Sequence, residues 1–476
     1  MNTVALDQKG IRINGQYEIL VVSSLFYFRI PRSKWESRMR LLKSAGYNAI
    51  DVYFPWNYHE KKPGEWDFTE ERDVSAFLRL ARENNLWVIA RPGPYICSEW
   101  DGGGIPAWHY LSVPQSSIPQ PRSGSEMGDA TCRRAEARGR FQSIPQPRSG
   151  SEMGDATCRR AEARGRFQSI PQPRSGSEME DATCRRAEVR GRFHKDFRIR
   201  QNDPAYLEEL GRWYGKILPI LKPYQWTEQG TVLLLQTENE LDYYLCDEPQ
   251  AYMESLAEMA RREGITIPLI ACCGQDDIAG SGGNAPGVIP AFNIYADSEN
   301  TGLEIRTQKL YQRMAQRDCP LLVTETNREH SFLKRLLSCG AKMVSPYNQT
   351  AGTTADYYNA ITNWGTKEQP AALLASDYDF CSMITPDGML RADEYVQARL
   401  LNALRITCKE ALAAAMPPLE NTTASLNREA VLECGMRPAA ERRRGGVSKA
   451  SPNRKAVLEC GMRPAAERRR GGVSKA

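Results

Sequence analysis

The feature that most constrains the fold is a regular alternation of eight apolar runs with amphipathic segments. The runs have the length of buried strands and lie at residues 17–28, 47–56, 86–93, 232–240, 268–275, 291–297, 319–325 and 341–350. Amphipathic segments, with apolar residues three and four positions apart, lie at 33–46, 73–85, 204–221, 250–264 and 303–318. Eight strand-then-helix units predict an α/β chain folded as a (β/α)8 TIM barrel rather than a doubly wound sheet. No Gly-rich dinucleotide fingerprint follows the first run, which favours the same choice.

Two tandem repeats, each with a period of 26 residues, interrupt the alternation. Residues 117–194 hold three near-identical copies of one unit, and residues 427–476 hold two copies of another. Both units are rich in Pro, Gly, Ser and Arg and have no apolar positions at a helical or strand period, which is typical of disorder. We therefore predict a barrel made of residues 1–116 and 195–426, with a disordered insertion after its third strand and a disordered basic tail.

The positive charge of the chain lies in the repeats. The formal net charge is +5, but the repeats together carry +13, which leaves −8 on the remaining residues. Clustered Arg attracts phosphate without sequence specificity, yet the repeats have no interleaved aromatic platform on which bases could stack. We therefore expect no specific nucleic-acid partner.

The first residues and the cysteines bear on the compartment of the protein. Met1 to Gly10 is polar and has no apolar run of signal-peptide length, and no later segment reaches the roughly 20 apolar residues of a membrane span. The thirteen cysteines show no paired metal-type spacing, so reduced thiols are expected in a chain of this length. We therefore expect a cytoplasmic protein with no membrane contact and no metal site.

Two carboxylates end apolar runs at positions where a barrel places its chemistry. Glu240 ends "QTENE" after the fourth run, and Glu325 ends "LLVTE" at the seventh. The C-terminal ends of barrel strands meet at one mouth, so we expect these side chains to face each other. Such a pair suits glycoside hydrolysis, with the carboxyls about 5–5.5 Å apart in a retaining enzyme and about 6.5–9.5 Å apart in an inverting one. The competing interpretation is that both are surface acids.

Five motifs, taken together, carry a resemblance to a known family. In chain order they are FYFRIPRSKWESRM, YFPWNYHEKKPGEWDF, RPGPYICSEWDGGGIPAW, QTENE and LLVTE. They resemble the catalytic barrel of glycoside hydrolase family 35, the retaining β-galactosidases, over residues 10–113 and 197–405. The third motif is long and highly specific.

The resemblance implies roles for nine residues. Glu240 would be the acid/base and Glu325 the nucleophile. Seven further residues would contact the sugar: Tyr53, Cys97, Ser98, Glu99, Asn239, Tyr347 and Tyr378. Amide and carboxyl groups can bind hydroxyls, and tyrosines can orient a sugar and donate to the nucleophile. Ordinary packing is the alternative interpretation for Tyr53 and Tyr378.

The resemblance also implies an activity, with two classes left open. The first is a retaining exo-glycoside hydrolase, without cofactor or metal, that cleaves terminal β-linked galactose or another β-linked sugar such as glucosamine. The alternative is a catalytically impaired or inactive sugar-binding barrel, because the insertion lies at the active-site end and the tail repeats begin where family members generally continue into β-rich domains. Without such domains apolar barrel surface would be uncovered, so we expect self-association through it.

Overall fold

The first three strands of the protein form a small N-terminal sheet, and the strands that follow include those of the predicted barrel. The computed structural model describes residues 2–110, 198–297, 299–354, 361–362, 372–373 and 377–415, and the repeats predicted to be disordered lie outside them. In chain order the strands are β1 (Val4–Asp7), β2 (Gly10–Ile13), β3 (Gln16–Glu18), β4 (Leu20–Ser24), β5 (Ala49–Tyr53), β6 (Glu60–Lys62), β7 (Glu65–Trp66), β8 (Trp87–Gly93), β9 (Val232–Thr237), β10 (Leu269–Cys273), β11 (Val288–Ile294), β12 (Leu322–Thr326), β13 (Met343–Pro346), β14 (Gly352–Thr353), β15 (Ile361–Thr362), β16 (Ala372–Leu373) and β17 (Asp377–Tyr378).

Eight parallel strands close into a barrel, in the order β10, β11, β12, β13, β4, β5, β8 and β9. β13 pairs with β4 in parallel, so the first and last barrel strands of the chain are neighbours. Each barrel strand overlaps one of the eight apolar runs, and the predicted TIM barrel is confirmed. The runs are apolar because both faces of a parallel barrel strand are covered; all six residues of β9, for example, are buried.

The N-terminal sheet of β1, β2 and β3 covers the inside of the barrel at one end. It is antiparallel, and it places Ile11 and Ile13 in one apolar cluster with the barrel residues Leu20, Leu322 and Met343. These barrel residues lie at the beginning of their strands, so the sheet packs at the N-terminal end of the barrel. The opposite end, where the strands finish, carries the polar side chains described below.

The helices surround the barrel and include the five predicted from periodicity. In chain order they are α1 (Trp35–Ala45), α2 (Trp56–His59), α3 (Val74–Glu83), α4 (Pro204–Leu221), α5 (Pro249–Arg262), α6 (Leu303–Ala315), α7 (His330–Ser338), α8 (Ala392–Thr407) and α9 (Lys409–Ala414). Asp73 and Asp203 cap α3 and α4 by accepting from backbone N–H groups of the first turn. Of the helices in the described ranges, none has the length and apolar character needed to span a membrane.

Periodicity did not predict α2, α7, α8 and α9. Three of these, α2, α7 and α9, are too short for a repeated apolar spacing. α8 is long, but its apolar residues do not mark one face: Leu401 is buried, whereas Val396 and Leu400 are 53% and 52% exposed. The three strands of the N-terminal sheet were missed for a similar reason, because each spans only three or four residues.

A buried lysine anchors the last described helix to the barrel. Lys342 precedes β13 and is 0% exposed, and its Nζ donates to the carbonyl oxygens of Leu412 at 2.7 Å, Ala413 at 3.1 Å and Ala415 at 2.8 Å. A helix leaves its last carbonyls without partners in the helix, and a cation is favoured there. Lys342 therefore ties α9 to the N-terminal end of the barrel.

Replacing Lys342 with Met should destabilise the fold. Methionine retains an apolar stem but supplies no donor, so buried carbonyl oxygens lose a hydrogen bond. We expect the free energy of unfolding, measured by urea denaturation, to fall by about 3 kcal/mol. Lys216→Met, at an exposed position of α4, is the matched control and should change it by less than about 0.5 kcal/mol. Equal effects of the two substitutions would contradict the anchoring role.

Candidate active site

The chain leaves β9 in an unusual conformation that separates three consecutive polar side chains. Glu238 and Glu240 have φ angles of 60° and 46°, a region costly for residues other than glycine. The Glu238 carboxylate is ion-paired with Arg200 at 2.8 Å and accepts from the Tyr252 hydroxyl at 2.9 Å. Asn239 and Glu240 instead contact side chains at the barrel mouth.

The carboxylate of Glu325 is surrounded by three donors. Its Oε1 accepts from Nη2 of Arg91 at 2.6 Å and from the Tyr53 hydroxyl at 3.0 Å. Its Oε2 accepts from the Tyr295 hydroxyl at 3.1 Å. Glu325 is only 8% exposed, so these hydrogen bonds operate with little competition from water. They fix the orientation of the carboxylate and stabilise its negative charge.

Arg91 connects residues from four parts of the barrel. The guanidinium extends from β8 to Glu325 in β12, to Asp51 at 3.2 Å and Tyr53 in β5, and to the Oδ1 of Asn239 after β9. It also lies 3.9 Å from the centroid of the Tyr53 ring. Burial raises the pKa of Asp51 to about 6, although the positive charge of Arg91 opposes that shift. A buried cation of this kind requires such partners, because desolvating it without them is costly.

Glu240 has a different environment from Glu325. Its Oε1 accepts one hydrogen bond, from Nδ2 of Asn293 at 2.8 Å, and Asn293 in turn accepts from Thr324 at 2.9 Å. Burial and the nearby charge of Glu325 raise the pKa of Glu240 to about 8. Glu240 is therefore mostly protonated at pH 7 and can donate a proton.

Two side chains at the end of β11 bind the two carboxyls. Asn293, in β11, binds Glu240, and Tyr295, two positions later, binds Glu325. Residues two apart along a strand point to the same side. β11 also pairs directly with β12, with Asn293 opposite Glu325 in the register. The prediction that the two acids share one mouth is therefore consistent with the positions of their partners.

The loop after β8 has three consecutive residues in the left-handed region. The φ angles of Cys97, Ser98 and Glu99 are 54°, 56° and 42°. Arg29 holds this backbone in place, since its guanidinium donates to the carbonyl oxygens of Ser98 at 2.8 Å and Glu99 at 3.1 Å and to the Ser98 hydroxyl at 3.1 Å. Strain of this type persists only where surrounding contacts impose it, and it is concentrated at functional sites.

The Glu99 carboxylate forms a second polar cluster with two tyrosines. It accepts from the Tyr347 hydroxyl at 3.1 Å and from that of Tyr378, and the two hydroxyls are 2.7 Å apart. The Arg29 guanidinium lies 3.7 Å from the centroid of the Tyr378 ring. Burial raises the pKa of Glu99 above its ordinary value, while the tyrosine donors and Arg29 oppose the shift.

An aromatic contact joins the two clusters. The Phe26 ring lies 5.1 Å from that of Tyr53, and 5.7 Å from those of Tyr347 and Tyr378, between ring centroids. Seven of the nine predicted site residues are therefore linked by hydrogen bonds or ring contacts, directly or through Arg91 and Phe26. The eighth, Glu240, bonds Asn293, which lies opposite Glu325 in the strand register. The ninth, Cys97, is partly buried in the same loop as Ser98, and burial and the charge of Glu99 raise the pKa of its thiol, which stays neutral at pH 7.

Sequence reasoning missed several residues of the mouth. Arg91 and Asp51 are charged residues inside otherwise apolar runs, which was a usable signal. Asn293 and Tyr295 alternate at the end of the sixth run, where polar residues of a barrel strand face the mouth. Arg29 had no comparable signal, because its role depends on the Ser98 and Glu99 backbone that it contacts.

The mouth also contains buried polar atoms without partners. Among the described residues, none provides a hydrogen-bond partner for Nδ2 of Asn239 or Oδ1 of Asp51. Asn239 is 1% exposed, so its free donor is of the kind that a polar ligand or water satisfies. In the same part of the chain, no group of three or more His, Cys, Asp or Glu side chains is arranged to hold a metal ion. The unpartnered amide of Asn239 can donate to an oxygen atom of a ligand.

Glu240 should lose its proton near pH 8. The carbonyl stretch of its protonated carboxyl can be isolated by subtracting the infrared spectrum of Glu240→Gln from that of the unchanged protein. This band should be present at pH 7 and disappear as the pH rises through about 8, the pKa given by burial and the Glu325 charge. Glu325→Gln removes that charge and should lower the midpoint. A midpoint below about pH 6 in the unchanged protein, or a rise in Glu325→Gln, would contradict this assignment.

Comparison with known proteins supplies relatives that are longer than this chain. The β-galactosidase of Mus musculus is 28% identical over 383 residues, which cover 77% of this chain and 45% of that protein. The β-galactosidase of Homo sapiens is 27% identical over 396 residues, covering 79% and 44%. Beta-galactosidase-1-like protein 3 of Homo sapiens is 25% identical over 397 residues, covering 79% and 45%. This chain therefore spans less than half the length of these relatives.

The family profile matches the barrel itself. The profile described as Glycosyl hydrolases family 35 covers residues 10–117 and 192–404, more than half of the chain. The two matched parts include all eight barrel strands and all nine predicted site residues. The resemblance noted in the sequence is confirmed, and the chain belongs to glycosyl hydrolase family 35.

Proposed function

We propose that this chain is a retaining exo-glycoside hydrolase that removes terminal β-linked galactose by double displacement. The observation that carries the proposal is the contrast between two carboxyls at one mouth. Glu240 is mostly protonated at pH 7, whereas Glu325 is ion-paired with Arg91. A proton donor beside a charge-stabilised carboxylate is what a retaining mechanism requires. Family membership and the names of the β-galactosidase relatives support the reaction and sugar class.

In the first step, Glu325 attacks the anomeric carbon while Glu240 gives its proton to the glycosidic oxygen. The bond between that carbon and oxygen breaks, the aglycone leaves as an alcohol, and a glycosyl ester remains on Glu325. The donors from Arg91, Tyr53 and Tyr295 hold the Glu325 carboxylate in one orientation for this attack. Positioning of this kind lowers the barrier, because the reacting atoms need no further ordering.

In the second step, the ionised Glu240 removes a proton from water, which attacks the anomeric carbon. The ester bond to Glu325 breaks, the sugar is released, and Glu240 is protonated again. Formation of the ester neutralises Glu325, and this charge was one reason why Glu240 held its proton. The pKa of Glu240 therefore falls in the intermediate, which suits its change from acid to base.

We assign the remaining predicted residues to recognition of the sugar. Glu99, supported by Tyr347 and Tyr378, would accept from sugar hydroxyls, and the free Nδ2 of Asn239 would donate to one. Tyr53, Cys97 and Ser98 would complete the contacts around the ring. The rings of Phe26, Tyr53, Tyr347 and Tyr378 pack against one another beside these residues, which would suit a site for one terminal sugar.

The first test is hydrolysis of an aryl β-galactoside. The unchanged chain should release the aryl alcohol, and Glu325→Gln should lower kcat/KM by roughly 10⁴-fold or more, because it removes the nucleophile. Glu208→Gln, an exposed position on α4, is the matched control and should keep full activity. Release no faster than that of Glu325→Gln would defeat the hydrolase proposal. Calorimetric binding of galactose in that case would establish the alternative, a sugar-binding barrel without turnover.

The second test is the configuration of the product. Two displacements at the anomeric carbon return it to its original configuration, so nuclear magnetic resonance during early hydrolysis should show β-galactose before mutarotation. Net inversion would mean that water attacks directly and would overturn the nucleophile role of Glu325.

A further inference from the structure

An exposed tyrosine lies immediately beyond the proposed proton donor. Leu241–Tyr243 forms one helical turn after Glu240, and the Tyr243 amide donates to the Glu240 carbonyl oxygen at 3.1 Å. The Tyr243 side chain is 36% exposed, in contrast to the buried rings of Tyr53 and Tyr378. Part of this residue is thus accessible beside Glu240, and it has no role in the proposed sugar pocket.

The turn that carries Tyr243 is fixed to the loop after β10. The Asp242 carboxylate accepts from the backbone N–H groups of Gly274 at 2.8 Å and Gln275 at 2.6 Å. The Tyr243 hydroxyl donates to the Gly274 carbonyl oxygen at 3.3 Å. These contacts, all with one loop, hold the ring in one place, so a ligand that stacks on it orders little additional structure.

Tyr243 and the Glu240 carboxyl are neighbours across Gly274. A methyl group built on Gly274 would lie 2.2 Å from Cε2 of Tyr243 and 2.8 Å from Oε1 of Glu240, so these two atoms are at most 5.0 Å apart. Glycine at this position leaves the space that both side chains occupy. A group bonded to an oxygen that Glu240 protonates would therefore come within contact distance of the Tyr243 ring.

Tyr243 stands on the side of the mouth opposite the Tyr347 and Phe26 rings. It follows β9 and contacts the loop after β10, which are adjacent in the barrel. The strands directly across the barrel are β13 and β4, which lead to Tyr347 and Phe26. A sugar held by those rings would have its glycosidic oxygen at Glu240, and its leaving group would extend toward Tyr243.

We propose that Tyr243 is a binding platform for the leaving group, the aglycone, of the glycoside. The inference rests on the proposed function and adds the chemical class of the aglycone: one with a flat apolar face, such as an aryl ring or the C–H face of a second pyranose. Such faces stack on tyrosine, whereas a methyl group is too small to cover the ring. The platform makes the chain prefer aryl glycosides and disaccharides to methyl glycosides.

Binding to the Glu325→Gln variant tests the platform without depending on turnover. Affinities for aryl β-galactoside and methyl β-galactoside are measured by calorimetry in this background, alone and combined with Tyr243→Ala or Tyr243→Phe. Tyr243→Ala should weaken aryl galactoside binding by about 3- to 10-fold and leave methyl galactoside binding unchanged. Tyr243→Phe retains the ring and should retain the preference. Leu400→Ala, which truncates a 52% exposed side chain on α8, controls for loss of surface apolar area and should change neither affinity.

The outcomes separate this inference from the proposed function. Equal effects of Tyr243→Ala on both ligands, or none on either, would overturn the platform. Loss of the preference in Tyr243→Phe would also overturn it, because the hydroxyl rather than the ring would then be responsible. A preference that depends on the Tyr243 ring in a chain without hydrolytic activity would support the platform and defeat the hydrolase proposal. Absence of binding by either galactoside would overturn both.

Discussion

Arg91 carries a positive charge into the barrel, where 2% of its side chain is exposed, and the candidate site is arranged around that charge. Asp51, Tyr53, Asn239 and Glu325 all contact the guanidinium, and they come from strands that are distant in sequence. The charge is tolerated only when these partners are in place, so closing the barrel and assembling the site are energetically linked. A folded barrel with a disordered mouth would leave the cation unpaired, and this penalty disfavours such a state.

The two carboxyls at the mouth differ in electrostatic environment because they differ in neighbours. Glu325 receives donors on both oxygens, whereas Glu240 receives one and lies in the field of Glu325. Placing a second negative charge on Glu240 is therefore unfavourable while Glu325 is ionised. The chemistry of each residue follows from the other, and a change at either one alters both. This coupling explains why neither "QTENE" nor "LLVTE" is interpretable alone.

Much of the barrel could be predicted because a buried parallel strand needs an apolar run, and eight such runs stand out in the sequence. The positions of Glu240 and Glu325 followed from the rule that barrel chemistry lies at strand ends. The contacts of Arg91 and Asn293 did not follow, since each depends on which side chains of other strands meet at the mouth. The N-terminal sheet was missed because Val4–Asp7 and its partner strands are too short to show a pattern. The roles assigned to the nine site residues remain predictions.

The left-handed backbone from Cys97 to Glu99 affects the entropy change of ligand binding. Arg29 holds that backbone from another barrel loop, so the segment is fixed before any ligand arrives. The conformational entropy of the segment is lost during folding, and association need not include that loss. Binding should then proceed as a single kinetic step with little change in loop order. Glycine at position 98 would relieve the backbone strain. It would also give the free segment more conformational freedom, so that ordering the segment would cost entropy during binding.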